Sequence, residues 1–188
     1  MNSIELMVEE HKNIKRMLKV VRNACFLIMK GFEIDYDDFN KMIDFIRNYA
    51  DKHHHGKEEK FLFKEMQSHL GAVGNNLVTH GMLVEHDLGR LYISDLDEAL
   101  KRVKNGDEES KLDVISNAVS YTHLLNRHID KEDSVVYVYG GKNLSADIIN
   151  EINQKSEAFE KEAKEQGIQD RYVKVLEELE NKYNNQIA

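Results

Sequence analysis

The chain has no proline in 188 residues, and its ten glycines leave long stretches without a backbone breaker. Proline disrupts the helical hydrogen-bond ladder and glycine weakens helix interiors, so a chain without the first and sparing of the second is free to build long helices. Leu, Glu, Lys and Met fill those stretches, and the fold class expected is all-α. Breaks at Gly31–Asp35, Gly71–Gly74, Asn105–Gly106 and Gly140–Gly141 predict four long helices. They run over about Ser3–Lys30 (capped by Ser3), Asp37–Ser68, Asn75–Lys104 and Asp107–Tyr139. Two shorter helices, about Ser145–Gln166 and Gln169–Asn184, are expected on either side of Gly167. Long helices with short connections predict an antiparallel up-down-up-down four-helix bundle over residues 1–140. Residues 141–188 would form a helical C-terminal extension, packed on the bundle or on a partner, with a homodimer through these helices one outcome.

Charge and composition exclude several classes. The net charge is -8 and no Lys/Arg stripe is present, so no nucleic-acid partner is expected. Cys25 is the single cysteine, which forbids an intramolecular disulfide and suggests a cytoplasmic protein. No apolar run approaches the ~20 residues of a membrane span. The first ten residues carry Glu5, Glu9 and Glu10 with no basic-then-apolar pattern, so no signal peptide is expected.

The apolar stripes of the long helices carry polar residues. Ile4, Met7, Ile14, Leu18 and Val21 alternate at three and four in the first helix, and His11 falls within that series. In the third helix His86 lies between Met82 and Ile93 on the same kind of stripe. The second helix places His54 and Glu58 on its stripe, and the fourth places His128 and Glu132. A lone histidine on such a face is ordinarily a satisfied core residue, and a lone His-x-x-x-Glu a surface pair. Six polar groups on four seams are a different matter. Left unpaired they would cost several kcal/mol each, against a total stability of roughly 5–15 kcal/mol.

Their depths agree. His11 and His86 lie early in their helices, while His54/Glu58 and His128/Glu132 lie late in theirs. In an antiparallel bundle all six share one layer, roughly 12–18 Å from one end at 1.5 Å per residue. An internal echo supports one site: His54-His55-Gly56-Lys57-Glu58-Glu59 and His128-Ile129-Asp130-Lys131-Glu132-Asp133 both read His-x-x-Lys-Glu-acid. Four imidazoles and two carboxylates, without a thiolate, suit iron, manganese or zinc. Two glutamates on facing helices can bridge two ions and leave open positions for O2, NO, peroxide or water. The ferritin-like alternative needs Glu-x-x-His on the seams, and none is there.

These motifs resemble the hemerythrin-like, or HHE cation-binding, family. The likeness rests on Glu10-His11-Lys12-Asn13-Ile14, on His54 to Glu59 with Leu62-Phe63, on Met82-Leu83-Val84-Glu85-His86, and on His128 to Asp133, in that order within about Met1–Tyr139. It implies a non-haem, carboxylate-bridged centre of two iron ions held by His11, His54, Glu58, His86, His128 and Glu132. Oxygen-carrying members have a fifth histidine where this chain has Met82, and an Asp one residue beyond Glu132. The four-His, two-Glu set is similar to bacterial proteins of nitrosative stress and iron–sulfur repair, and to a eukaryotic iron-sensing domain. Lys64 stands where many relatives have proline, which would alter the turn after the second helix. The expected function is binding or reducing a small oxidant (O2, NO or peroxide) in oxidative or nitrosative stress. The alternative is a non-catalytic iron-binding sensor or interaction module.

Several neighbours have open roles. His55 and Glu59 are expected as partners of the ligands or as an alternative pair one residue along, with His54/Glu58 preferred. Glu85 is readable as an orienting acid or a surface acid. Tyr121 is expected as a core aromatic, with a role near a bound small molecule the lesser alternative. His53, His69, His80 and His123 fall off the stripes and are expected in solvent.

Overall fold

A computed structural model of the chain describes residues 2–187. They are almost wholly helical, with no strand among the described residues. Helix α1 spans Ser3–Met29 and is capped by Asn2, whose side chain accepts from the Ile4 and Glu5 amides. Asn2 therefore takes the role expected of Ser3. The Ser3 hydroxyl is instead buried, 2.7 Å from that of Ser156. Gly31, at φ 89°, ends α1. Helix α2 follows over residues 36–69, capped by Asp35. A bend at Leu70 and Gly71 (φ 58°) turns the chain into α3, residues 71–104. A short 3-10 turn, Glu108–Ser110, leads into α4, residues 111–143.

Helix α4 runs through Gly140–Gly141, where the sequence predicts a stop. Those glycines serve packing. A Cβ on Gly140 would lie 3.0 Å from Met66 Sδ, and one on Gly141 would lie 3.3 Å from Ile4 Cδ1. The helix ends at Asn143, and Ser145 caps α5, Ala146–Glu165, which α6, Ile168–Ile187, follows.

Helices α2, α3 and α4 are not uniformly α-wound. Ile46–His55, Glu58–Phe63, Leu77–Met82 and Glu132–Val136 form the wider π turn. Such turns recur at functional sites because the wider turn re-aims side chains. His54, Glu58 and Glu132 all lie on these segments.

Helices α1 to α4 pack as a bundle in which α3 lies along α4, α4 along α1, and α2 against α1 and α3. Two apolar clusters fill it. The larger includes Ile14, Leu18, Phe45, Ile93, Leu96 and Leu125, and α6 adds Tyr172, Leu176, Leu179 and Tyr183. The smaller includes Met7, Leu62, Phe63, Met66, Met82 and Tyr137, and α5 adds Ile152. The C-terminal helices thus share both clusters with the bundle. Between the clusters lies a polar layer.

Candidate metal centre

Six side chains form the heart of that layer: His11 of α1, His54 and Glu58 of α2, His86 of α3, and His128 and Glu132 of α4. None is more than 2% exposed. These are the six residues that the stripes predict, brought together from early positions of α1 and α3 and late positions of α2 and α4.

The geometry divides them into two halves. His11 and His54 place their Nε2 atoms 2.9 Å apart, and His86 and His128 place theirs 3.0 Å apart. Glu132 spans the halves, with Oε2 3.3 Å from His11 Nε2 and Oε1 3.0 Å from His128 Nε2. Glu58 does the same, with Oε1 3.8 Å from His54 Nε2 and Oε2 3.6 Å from His86 Nε2. Each carboxylate directs one oxygen to each pair of imidazoles.

Every one of the four imidazoles is held from behind. The Nδ1 of His11 lies 2.7 Å from Asp133, that of His54 2.8 Å from Glu10, that of His86 2.7 Å from Glu59, and that of His128 3.0 Å from Glu85. An Nδ1–H donated to a carboxylate fixes the tautomer and leaves the Nε2 lone pair facing inward, the arrangement found behind metal-bound histidines. These acids form a closed ring around the bundle. Each is the chain neighbour of an inner residue (Glu10 of His11, Glu59 of Glu58, Glu85 of His86, Asp133 of Glu132), yet each serves the histidine of the next helix. Glu59 and Glu85 are therefore orienting acids, and Glu85 orients His128 and not its neighbour His86.

The internal echo now has a physical reason. Lys57 contacts Glu10, which holds His54, and Lys131 contacts Glu85, which holds His128. The lysine of His-x-x-Lys-Glu neutralises the acid that orients the histidine three residues before it. A pseudo-twofold relates α1–α2 to α3–α4. Tyr137 stacks on His11 at 5.6 Å between ring centroids, as Phe63 stacks on His86 at 5.9 Å. The halves differ in cover. Lys131 is half exposed, whereas Lys57 is fully buried because α5 brings Glu160 onto it.

His53 departs from expectation. It is 3% exposed, with Nε2 3.1 Å from both Glu10 and Glu160. The wider winding of α2 and the cover of α5 put it inside, and periodicity in α2 alone shows neither. With Lys57 it completes a second buried cluster behind His54. His69, His80 and His123 are exposed, as expected. His55 is buried, stacked on His86 at 3.8 Å, with Nδ1 3.3 Å from Asp51. Tyr121 is a buried core aromatic. The sequence did not single out Tyr137, whose hydroxyl donates to Glu58 Oε1. Its signal was its position, five residues after Glu132, matching Phe63 after Glu58.

Electrostatics agree with a cation site. Burial and the facing Glu132 push Glu58 well above the usual carboxylate range. Burial also opposes ionisation of Glu132, but His128 and His11 hold it well below that range. Burial, with His11 beside it, lowers His54 to about 4, and burial lowers His86, so both present neutral rings. Burial works against His128, yet Glu132 and Glu85 raise it to about 9. Glu58 Oε2 and both Glu132 oxygens lack a hydrogen-bond partner although fully buried. Orphaned carboxylate oxygens cost several kcal/mol without compensation. A cation held between the imidazoles and these oxygens would supply it, so the donor set fits metal binding. One potential ligand atom each from His11, His54, Glu58 and Glu132 lies within 4.8 Å of the others.

The sequence model of the Hemerythrin HHE cation binding domain matches residues 2–139. No curated protein and no solved structure matches the chain at significance. No helix among the described residues is long and apolar enough to cross a membrane.

Proposed function

The chain belongs to the hemerythrin HHE cation-binding family, and from that premise we propose that it is a non-haem di-iron protein that binds or reduces a small oxidant (O2, NO or peroxide) in oxidative or nitrosative stress. The observation that carries this is the split of both buried glutamates between two pairs of inward-facing imidazoles. In this reading His11 and His54 would hold one ion and His86 and His128 the other, with Glu58 and Glu132 shared between them. Two imidazoles and two carboxylate oxygens would leave each ion short of six ligands, with room for a small molecule. Bound there, a pair of irons supplies electrons to an oxidant.

The chain's own residues set the surroundings. The apolar clusters above and below the layer keep bulk water from it. The ring of Asp133, Glu10, Glu59 and Glu85 fixes each imidazole. Tyr137 keeps its proton, since burial and the adjacent Glu58 push its hydroxyl well above the usual phenol range. That hydroxyl also lies 3.5 Å from His11 Nε2, so it offers a proton donor at the edge of the His11 half. Manganese or zinc would fit the same donors but would not give this redox chemistry in the same form.

The test is spectroscopic. Protein purified without oxygen should carry iron, and its optical spectrum should change on adding NO, O2 or peroxide. A protein without iron, or with iron inert to all three, refutes the proposal. In the latter case the metal serves a sensor or interaction module.

A further inference from the structure

We propose that the small molecule reaches the ion pair from the His86/His128 half, through a cavity between α2 and α3, with His55 as the polar group that meets it. This rests on the di-iron reading above. The cavity has a volume of about 190 Å³. Its floor includes His55, His86, Gly89 and Tyr121, and its rim includes Arg47, Arg90 and Ser94. The cavity lined by His53, Phe159 and Ala163 and the one lined by His80, Met82 and Val136 touch none of the six candidate ligands.

The pseudo-twofold, which relates the α2/α3 seam to the α4/α1 seam, shows that this opening is built into only the first of them. Gly89 stands three residues after His86, where Ile14 stands after His11. His55 follows His54, where Ile129 follows His128. Asp51 precedes His54 by the spacing at which Leu125 precedes His128. Ile14, Ile129 and Leu125 are buried hydrophobics, each no more than 2% exposed. Three apolar fillers of the α4/α1 seam are thus replaced in the α2/α3 seam by a glycine, an imidazole and a carboxylate. A glycine inside a helix is destabilising relative to alanine, so bare space at this point carries a cost. A Cβ here would meet Tyr121 and Leu125 at 3.5 Å, an ordinary contact, so packing does not demand glycine.

His55 is placed beside the second ion and not on it. One ring nitrogen each from His55, His86 and His128 falls within 4.8 Å of the others. An imidazole binds a metal through a lone pair in its own plane. His55 and His86 are stacked with planes 9° from parallel and centroids 3.8 Å apart, so one ion cannot lie in both planes. Asp51 takes the Nδ1 of His55, and Arg90 holds Asp51 at 2.7 Å. The volume excludes drug-sized ligands, which need roughly 300 Å³ or more. The rim guanidiniums are already paired, Arg47 with Asp97 at 3.0 Å and Arg90 with Asp51 and Glu59 at 2.7 Å. No free positive charge remains to draw an anion, and the ligand class is an uncharged molecule of a few atoms, such as NO, O2 or hydrogen peroxide.

The test uses the full-length, reduced, iron-loaded chain and stopped-flow mixing with NO. Gly89→Ile, which copies Ile14, and Ser94→Phe, which plugs the exposed rim, should each slow NO binding about tenfold or more with iron content unchanged. Should Gly89→Ile lose iron, Ser94→Phe decides. His55→Ile, which copies Ile129, should retain iron and shift the infrared N–O stretch of bound NO. Binding rates within about twofold of wild type in the iron-replete Ser94→Phe variant overturn the route. Loss of iron in His55→Ile, or an unmoved N–O band, overturns the role of His55. A wild-type protein that holds iron but takes up no NO overturns the di-iron reading together with this one.

Discussion

Lys57→Met is a sharp perturbation because it removes a single buried ammonium and keeps an apolar stem of similar length. The Lys57 side chain is 0% exposed, while those of its partners Glu10 and Glu160 are 7% and 15% exposed. Deleting one partner of a buried ion pair typically costs about 3–5 kcal/mol, because the remaining charge is left uncompensated. Two carboxylates are left here, with His53 still 3.1 Å from both, which places the expected loss near the lower end, ~3–4 kcal/mol. At roughly 2–4 °C per kcal/mol for a chain of this size, the melting temperature should fall by roughly 6–16 °C. Glu160→Gln added to Lys57→Met removes one of the two stranded charges and should recover roughly half of the loss. Lys131→Met is the internal control. Its side chain is 49% exposed, and a solvated pair contributes at most about 1 kcal/mol. Chemical denaturation of the metal-free protein at neutral pH measures all three variants. A loss below about 1 kcal/mol for Lys57→Met, or a double variant no more stable than the single, would refute the reasoning.

Other consequences can be checked alongside. Asp133→Asn and Glu59→Gln weaken the hold on His11 and His86, and each should lower metal affinity by about 10–100-fold in a competition titration; unchanged affinity in both would remove the ring from the site's design. His128 is raised from 6.5 to about 9 in the metal-free protein. Its contribution to stability is therefore fully present below pH 6.5 and lost as the pH rises through 9, while metal binding displaces its proton. Metal affinity should thus rise with pH between 6.5 and 9, with proton release seen by calorimetry in two buffers; a pH-independent affinity would contradict this. Tyr137→Phe should leave metal content intact but alter the spectrum of the loaded protein, because Glu58 Oε1 loses its donor. Gly140→Val drives a branched side chain against Met66 and Leu62, at an expected cost of about 1–3 kcal/mol in thermal unfolding; a stability within 0.5 kcal/mol of wild type would show that α4 can shift there.

The six candidate ligands were legible in the sequence because each breaks an otherwise apolar stripe, and because early positions on α1 and α3 match late positions on α2 and α4. Periodicity tells which face of a helix a residue occupies. It does not tell which neighbouring helix that residue reaches. For this reason Glu59 and Glu85 could be suspected as orienting acids, while the closed ring, with every acid serving the next helix, needed the structure. Glu10 and Asp133 carry the same local signal, one residue from a candidate ligand. His53 is buried against its periodicity because a strict 3.6-residue period does not hold through the π-wound Ile46–His55, and because the cover comes from α5, far along the chain. Gly140–Gly141 read as a terminus in the sequence because glycine weakens helices. Met66 and Ile4 show that close packing can require it inside one.

Titration of metal-free protein with ferrous ion under anaerobic conditions bears most directly on the proposed two-ion centre. With Glu58 and Glu132 each shared between two imidazole pairs, binding should break at two ions per chain, and Glu132→Ala should impair both sites together. A break at one ion per chain, or a Glu132→Ala variant that still fills one site with unchanged affinity, would contradict a carboxylate-bridged pair.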